Sequence, residues 1–411
     1  MNSGWLAGLT RDEPVHVFLS AHSCRAKERD EDMRHMQSTW KVIIGAAAGA
    51  LMIGTTTISA QAAPPDGAHR PPQVQTQSDS SRHHAAAAVA ALVDFYNPEN
   101  GRFDPGPSWW QTGNSLQVVL DFEQRANDTS YLPLVEEAVT MLRAPQDWWP
   151  QGGGEFRTDS TDDTGWYALA MVRLYELTGK TEYLDIAKLD EAYMRDYWDD
   201  RCGGGIVWDI PSNSYKNAIS NSLYLKLTAS LHNAIPGDTF YLSRALEEWE
   251  WFKASGMINS DHLVNDGLRD DCTSNGGTTW TYNQGSLIGG LVELAEATGD
   301  RSLLTEARAI ADATLSSPAL APGGVLTEPC EPTRCNTDQS AFKGIFARNL
   351  AELDDVLPGH PYKKWLKNQA ELAYSVDRND ANQFGLSWGG PFDRADIGRQ
   401  DSGTSLMVAA L

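Results

Sequence analysis

The sequence predicts an all-α protein in which six helical hairpins close into a ring, an (α/α)6 barrel. Three observations lead there. Apolar residues recur at helical spacing in twelve separate segments, with very little that reads as strand. The connections alternate between short glycine turns and long loops rich in glycine and aromatic residues. One helix–turn–helix stretch, Leu174–Leu184, is echoed at Leu291–Leu304, and repeated hairpins mean a solenoid or a closed toroid. An open solenoid gathers no single site, whereas a ring of six hairpins brings every long loop to one mouth. Twelve helices in six pairs fit the ring.

In chain order the helical segments are Ala85–Phe95, Trp109–Gln124, Leu132–Arg143, Asp163–Thr178, Glu182–Trp198 and Asn217–Asn233. Tyr241–Lys253, Tyr282–Thr298, Leu303–Leu315, Ala341–Val356, Tyr362–Val376 and Ser402–Leu411 complete the set. Short turns fall at Thr178-Gly179-Lys180, Pro236-Gly237-Asp238, Thr298-Gly299-Asp300 and Pro358-Gly359-His360, where glycine suits a left-handed helix C-cap. The long loops are Pro145–Asp162, Asp199–Lys216, Gly256–Trp280, Ser316–Gln339 and Asn379–Asp401.

The N-terminal part of the 411-residue chain does not read as fold. After Met36 and a short polar start ending in Lys41, Val42–Ala60 is almost wholly apolar or small, and Ala60-Gln61-Ala62 is a small-x-small cleavage site. That is a secretory signal peptide, with translation expected to start at Met33 or Met36. A membrane anchor is the rival, since the run is about long enough, but its Gly, Ala and Thr content and the cleavage site disfavour it. Residues 1–62 are therefore extension plus signal peptide. The Pro-, Gln-, Ser- and His-rich residues 63–84 read as a disordered linker, and 85–411 as one catalytic domain and a monomer, with polymer affinity coming from the barrel mouth itself.

Net charge is −22. A strongly acidic surface argues against nucleic acid and anionic membrane as partners, and argues against polyanionic sugars, whereas a neutral polymer is not repelled. Export leaves Cys202, Cys272, Cys330 and Cys335, an even number in an oxidising compartment. Three pairings are open: Cys330 and Cys335 can close a small loop, and Cys272 can pair with either. Zinc is disfavoured because no paired CxxC or histidine spacing accompanies them. No histidine cluster, phosphate loop or GxSxG motif occurs, so no metal or cofactor is expected.

Chemistry centres on Asp162 and Asp163 in Thr161-Asp162-Asp163-Thr164-Gly165-Trp166, where a long loop becomes a helix. Acids at a helix start also serve as caps and suit the dipole. Here Trp148, Trp149, Trp166 and Gly152-Gly153-Gly154 surround the pair. Sugar rings stack on aromatics, and glycine admits a bulky polymer. Glycoside hydrolysis needs one carboxyl to donate a proton and one to attack or to activate water, about 5–5.5 Å apart in retaining enzymes. Adjacent Cα atoms lie about 3.8 Å apart, so neighbouring side chains reach the retaining separation but hardly the wider inverting one. Two such close charges cannot ionise independently, so one carboxyl stays protonated longer. A second pair, Asp270-Asp271, reads as a solvated loop beside Cys272 or as a binder of sugar hydroxyls.

Thr-Asp-Asp-Thr-Gly-Trp at 161–166 resembles the helix start of glycoside hydrolase family 76. So do Cys202-Gly-Gly-Gly-Ile-Val-Trp208, Lys216-Asn-Ala-Ile-Ser-Asn221, Trp280-Thr-Tyr-Asn-Gln-Gly285 and Phe342-Lys-Gly-Ile-Phe346 with Arg348. The likeness runs from about Ala85 to the C-terminus, and the pieces occur in the right order. It implies an (α/α)6 barrel acting on α-1,6-mannan with retention, Asp162 as nucleophile and Asp163 as general acid/base. Asn217 and Asn221 share one helical face, and Trp280, Tyr282, Asn283 and Gln284 start a helix at the same mouth. Trp109, Trp110, Asn114 and Trp166 join them as candidates for substrate binding. Neutral amides pair well with sugar hydroxyls, although caps, core hydrogen bonds and a buried aromatic core explain the same residues without a ligand. Trp208 and Trp388 are further stacking candidates, and Lys343 and Arg348 read as internal ion-pair partners.

The expected protein is a secreted, retaining, endo-acting α-1,6-mannanase whose partner is α-mannan polysaccharide or oligosaccharide. The alternatives are a same-family transglycosidase remodelling a wall polymer, another (α/α)6 enzyme such as an unsaturated glucuronyl hydrolase, and a non-catalytic mannan-binding protein in which the aspartates only cap.

Overall fold

The computed structural model describes residues 73–103 and 109–411. The signal peptide, its cleavage site, the start codon and linker residues 63–72 lie outside them. Twelve α-helices occur among the described residues: α1 (Gln73–Val93), α2 (Trp109–Ala126), α3 (Leu132–Leu142), α4 (Thr161–Thr178), α5 (Thr181–Arg195) and α6 (Ala218–Ala234). They continue as α7 (Phe240–Ala254), α8 (Thr281–Thr298), α9 (Ser302–Ser316), α10 (Phe342–Val356), α11 (Lys363–Val376) and α12 (Ile397–Ala409). The structure is an (α/α)6 barrel, and every helix expected from the periodicity is present. Among the described residues no helix is long and apolar enough to cross a membrane.

The even-numbered helices form the inner ring. α2 packs on α4, α4 on α6, α6 on α8, α8 on α10, α10 on α12, and α12 returns to α2. Their burial shows it. Every residue of α6 from Ala218 to Leu231 and of α12 from Ile397 to Ala409 is buried, as expected for helices with no solvent face. The inner helices approach closely because small residues face one another: a Cβ on Gly285 would stand 2.5 Å from the Phe346 backbone, and one on Gly344 2.6 Å from that of Ser402. The turns behave as the sequence predicts. Gly179 and Gly299 end α4 and α8 at φ 68° and 73°, each amide returning to the carbonyl of Tyr175 or Ala295.

The first helix differs from expectation. α1 starts at Gln73, so 73–84 are helix rather than disordered linker. Polar composition hid this, yet Arg82 donates to the Ala126 carbonyl at 2.7 Å and the His84 ring stacks on Tyr374 at 3.6 Å.

A deeper repeat lies where each long loop enters an inner helix. On α2, α4, α6, α8 and α12 the fourth helical residue accepts a hydrogen bond from a loop amide. Thr112 takes Phe103 N at 3.3 Å, Thr164 takes Thr158 N at 3.2 Å and Asn221 takes Ile206 N at 2.7 Å. Gln284 takes Val264 N at 2.7 Å and Gln400 takes Phe384 N at 3.0 Å. These side chains clip the loops to the ring and satisfy amides that would otherwise be buried alone.

Two disulfides hold the loops further, Cys202–Cys272 and Cys330–Cys335. The first joins the loops before α6 and α8 across a separation of 70 residues. Opening a loop of that length to the unfolded chain costs about 4 kcal/mol of stability by loop entropy. The double variant Cys202→Ser, Cys272→Ser is therefore expected to unfold at markedly lower urea, with the change about half as large for the short Cys330–Cys335 loop. Comparison of urea midpoints checks this ordering.

Candidate active site

All six inner helices run parallel, since a long loop precedes each and a short turn follows the first five. Their N-termini meet at one mouth, where a cleft of about 780 Å³ opens. Aligned helix dipoles favour negative charge there. The cleft holds Asp162 and Asp163 among Trp109, Trp110, Trp148, Trp166, Trp208, Tyr215, Trp280, Tyr282 and Phe342. Asp159, Ser160, Asn217, Asp266, Asn336, Asp338, Gln339 and Arg102 complete the lining.

The start of α4 is strapped in place. Thr161 N donates to the Trp208 carbonyl at 3.1 Å, and its hydroxyl donates to the Val207 carbonyl at 2.8 Å. The Asp163 amide donates to Asp162 Oδ1 at 3.0 Å. Helix geometry then aims the two carboxyls apart, because residues four apart stand on one face. Asp162 stands above Trp166, which packs on Ile219 and Leu223 of α6. Asp163 stands above Tyr167, whose hydroxyl donates to the Trp109 carbonyl of α2 at 2.8 Å.

Both carboxyls are half-buried at the cleft floor, and loss of solvation dominates their titration. Burial pushes Asp162 up to about 7, with Asp338 adding repulsion, while the amide hydrogen bonds and the Trp208 indole oppose it. Asp163 is pushed well above the usual carboxylate range by burial, then by the charges of Asp162, Asp159 and Asp338. The two carboxyls therefore titrate as one coupled pair, and the charge of either opposes ionisation of the other.

The walls are ordered before any sugar arrives. Tyr282 and Phe342 stack at 3.7 Å, and Trp110 donates its indole N–H to Asp338 at 2.9 Å. Asp266 is held as an acceptor by the Tyr215 hydroxyl at 2.5 Å and by Asn283 Nδ2 at 3.3 Å. Asn217 caps α6 through Ser220 N at 3.0 Å while lining the cleft.

Of the residues read from the sequence, Asp162, Asp163, Trp109, Trp110, Trp148, Trp166, Trp208, Asn217, Trp280 and Tyr282 therefore share the cleft. Several others do not. Asn221 and Gln284 are loop clips with their amides spent on Ile206, Val264 and neighbouring carbonyls. Asn114 is buried behind the lining and accepts from Arg348 at 3.0 Å. Asn283 reaches the cleft only through Asp266. Asp270 and Asp271 are exposed outside the lining, where Asp271 accepts from the Thr273 amide and hydroxyl in a turn beside the disulfide. Trp388 is fully buried under the Lys343 ammonium and is no stacking surface. Lys343 pairs with Glu331 at 2.5 Å, as an internal ion pair should.

Asp159, Asp266 and Asp338 were missed. Each is a single acid in a long loop with no local pattern, and Asp266 lay four residues before the adjacent pair that drew attention.

An (α/α)6 barrel whose mouth is acidic and lined with aromatics is the class that fold and cleft define. Residues 80–411 match Glycosyl hydrolase family 76, and the chain belongs to that family. A mannan endo-1,6-alpha-mannosidase of Saccharomyces cerevisiae is 28% identical over 345 residues, 77% of this chain and 76% of that protein. The α-1,6-mannanase of a Salegentibacter species superposes with TM-score 0.72 at 26% identity, covering 80% of this chain and 98% of that one. An inactive variant of that mannanase, with two consecutive aspartates changed to alanine, is solved with α-1,6-mannotetrose at the same TM-score and coverage.

Proposed function

We propose that this protein is an exported, retaining endo-α-1,6-mannanase built on one catalytic barrel. The observation that carries the reading is the adjacent pair Asp162-Asp163, both raised by burial and set in an aromatic cleft. Asp162, in its ionised form, attacks the anomeric carbon. Asp163, still protonated, gives its proton to the leaving oxygen as the glycosidic bond breaks. Water then loses a proton to Asp163 and attacks the same carbon, releasing Asp162. The indole of Trp208 and the amide of Asp163 steady the Asp162 carboxylate through this cycle. Asp266 and Asn217 are placed to accept from and donate to sugar hydroxyls. The names of the Saccharomyces and Salegentibacter relatives support α-1,6-mannan as the polymer. The N-terminal apolar run supports export.

Incubation with linear α-1,6-mannan is expected to release reducing ends, with a rapid fall in polymer size that marks internal cleavage. The first product should carry the α anomer by proton NMR. Binding without release, or an initial β anomer, would overturn the assignment.

A further inference from the structure

The floor of the cleft is asymmetric, and the asymmetry gives it a direction. Asp162 lies on the side of Trp208 and Tyr282, the wall built by the loop before α6 and the start of α8. Asp163 lies above Tyr167 on the side of α2, where Trp109 and Trp148 stand with their rings 6.1 Å apart, edge to face. The sugar that is attacked must sit against the nucleophile. The sugar that leaves, or that replaces it, must sit against the proton donor.

Trp148 is the unusual member of this wall. It is 44% exposed, whereas Trp109 is 3% exposed. Its neighbour Trp149 is tied down, donating its indole N–H to the Tyr193 hydroxyl at 3.3 Å. Its open ring lines the cleft beside Trp109. A flat ring with an open face is what the apolar side of a pyranose needs.

Building on the mannanase reading, we propose that the mouth is divided. The α6–α8 wall holds the donor mannan, and the α2–α4 wall holds the acceptor, with Trp148 as the platform on which the leaving or incoming sugar stacks. The division bears on the final acceptor. In the second step either water or a sugar hydroxyl loses its proton to Asp163, forms the new bond to the anomeric carbon and breaks the ester to Asp162. A sugar seated on Trp148 competes with water for that step, so the platform sets the ratio of transfer to hydrolysis.

The test uses α-1,6-mannobiosyl fluoride as donor and α-1,6-mannobiose as acceptor, in the wild-type protein and in Trp148→Ala and Asp266→Asn variants. Trp148→Ala should raise the half-saturating acceptor concentration about tenfold, the usual scale for truncating a contact tryptophan, and raise the donor KM by less. Asp266→Asn should show the reverse order. Trp148→Phe should restore most of the acceptor effect. The division is overturned if Trp148→Ala moves the donor KM as much as the acceptor constant, or moves neither. If the wild-type protein releases no fluoride from the donor and no reducing ends from mannan, it is the mannanase reading that falls, and the platform with it.

Discussion

Asp162→Asn is expected to abolish turnover of α-1,6-mannan while leaving the fold intact. A nucleophile removed from a site that works as a unit costs on the order of 10⁴- to 10⁶-fold in kcat. The change is nearly isosteric, and Asp162 is half-buried rather than packed in the core. Its partners can be kept: an asparagine oxygen still accepts from the Asp163 amide that now sits at 3.0 Å. The substitution also removes a buried carboxyl whose ionisation burial opposes. A carboxyl raised in the folded protein binds its proton more tightly there than in the unfolded chain, so folding stability falls as pH rises from about 4 through 7. The variant lacks that loss and should be at least as stable as wild type at pH 7. Inactivity with an unchanged or raised melting temperature is the expected pair of results, and near-wild-type activity in the folded variant would sink the assignment.

How much of this was legible beforehand divides along a physical line. The ring was legible because helix periodicity, glycine caps and loop lengths are local signals. Gly179 and Gly299 do what their neighbours in sequence say they do. The aspartate pair and its place in the cleft were legible because adjacency and the nearby tryptophans are visible in the sequence. The amides were not. Asn217, Asn221, Asn283 and Gln284 look alike in sequence, but only Asn217 lines the cleft, and the others are spent on Ile206, Asp266 and Val264. A signal for two of them did exist. Asn221 and Gln284 occupy the fourth position of their inner helices, as do Thr112, Thr164 and Gln400. A side chain that recurs at one register of a repeat holds the repeat together, and a side chain that occurs once gives no such signal. Asp266 and Asp338 are of the second kind, and only the closing of the ring brings them beside Asp162.

Asp163→Asn should leave a different signature, in pH and in leaving group rather than in outright loss. General acid catalysis contributes about 10²- to 10⁴-fold, and the loss should fall on mannan, whose leaving alcohol needs a proton. A mannobiosyl fluoride, whose leaving group departs as fluoride without full protonation, should retain far more of its rate of bond cleavage. In the wild-type protein kcat/KM should be bell-shaped, because activity needs Asp162 ionised and Asp163 protonated. The acid limb belongs to the first proton of the pair, near 7, and the alkaline limb to the second, well above it. Asp163→Asn removes the group that carries the second proton, so the alkaline limb should vanish. The acid limb should stay close to 7, since burial and Asp338, not Asp163, hold Asp162 up. Asp338→Asn makes the converse case: by removing a neighbouring negative charge it should move the acid limb to lower pH and keep both limbs. Profiles of kcat/KM measured on mannan, whose leaving alcohol needs the proton, distinguish these outcomes, and an alkaline limb that survives in Asp163→Asn would assign the proton donor elsewhere.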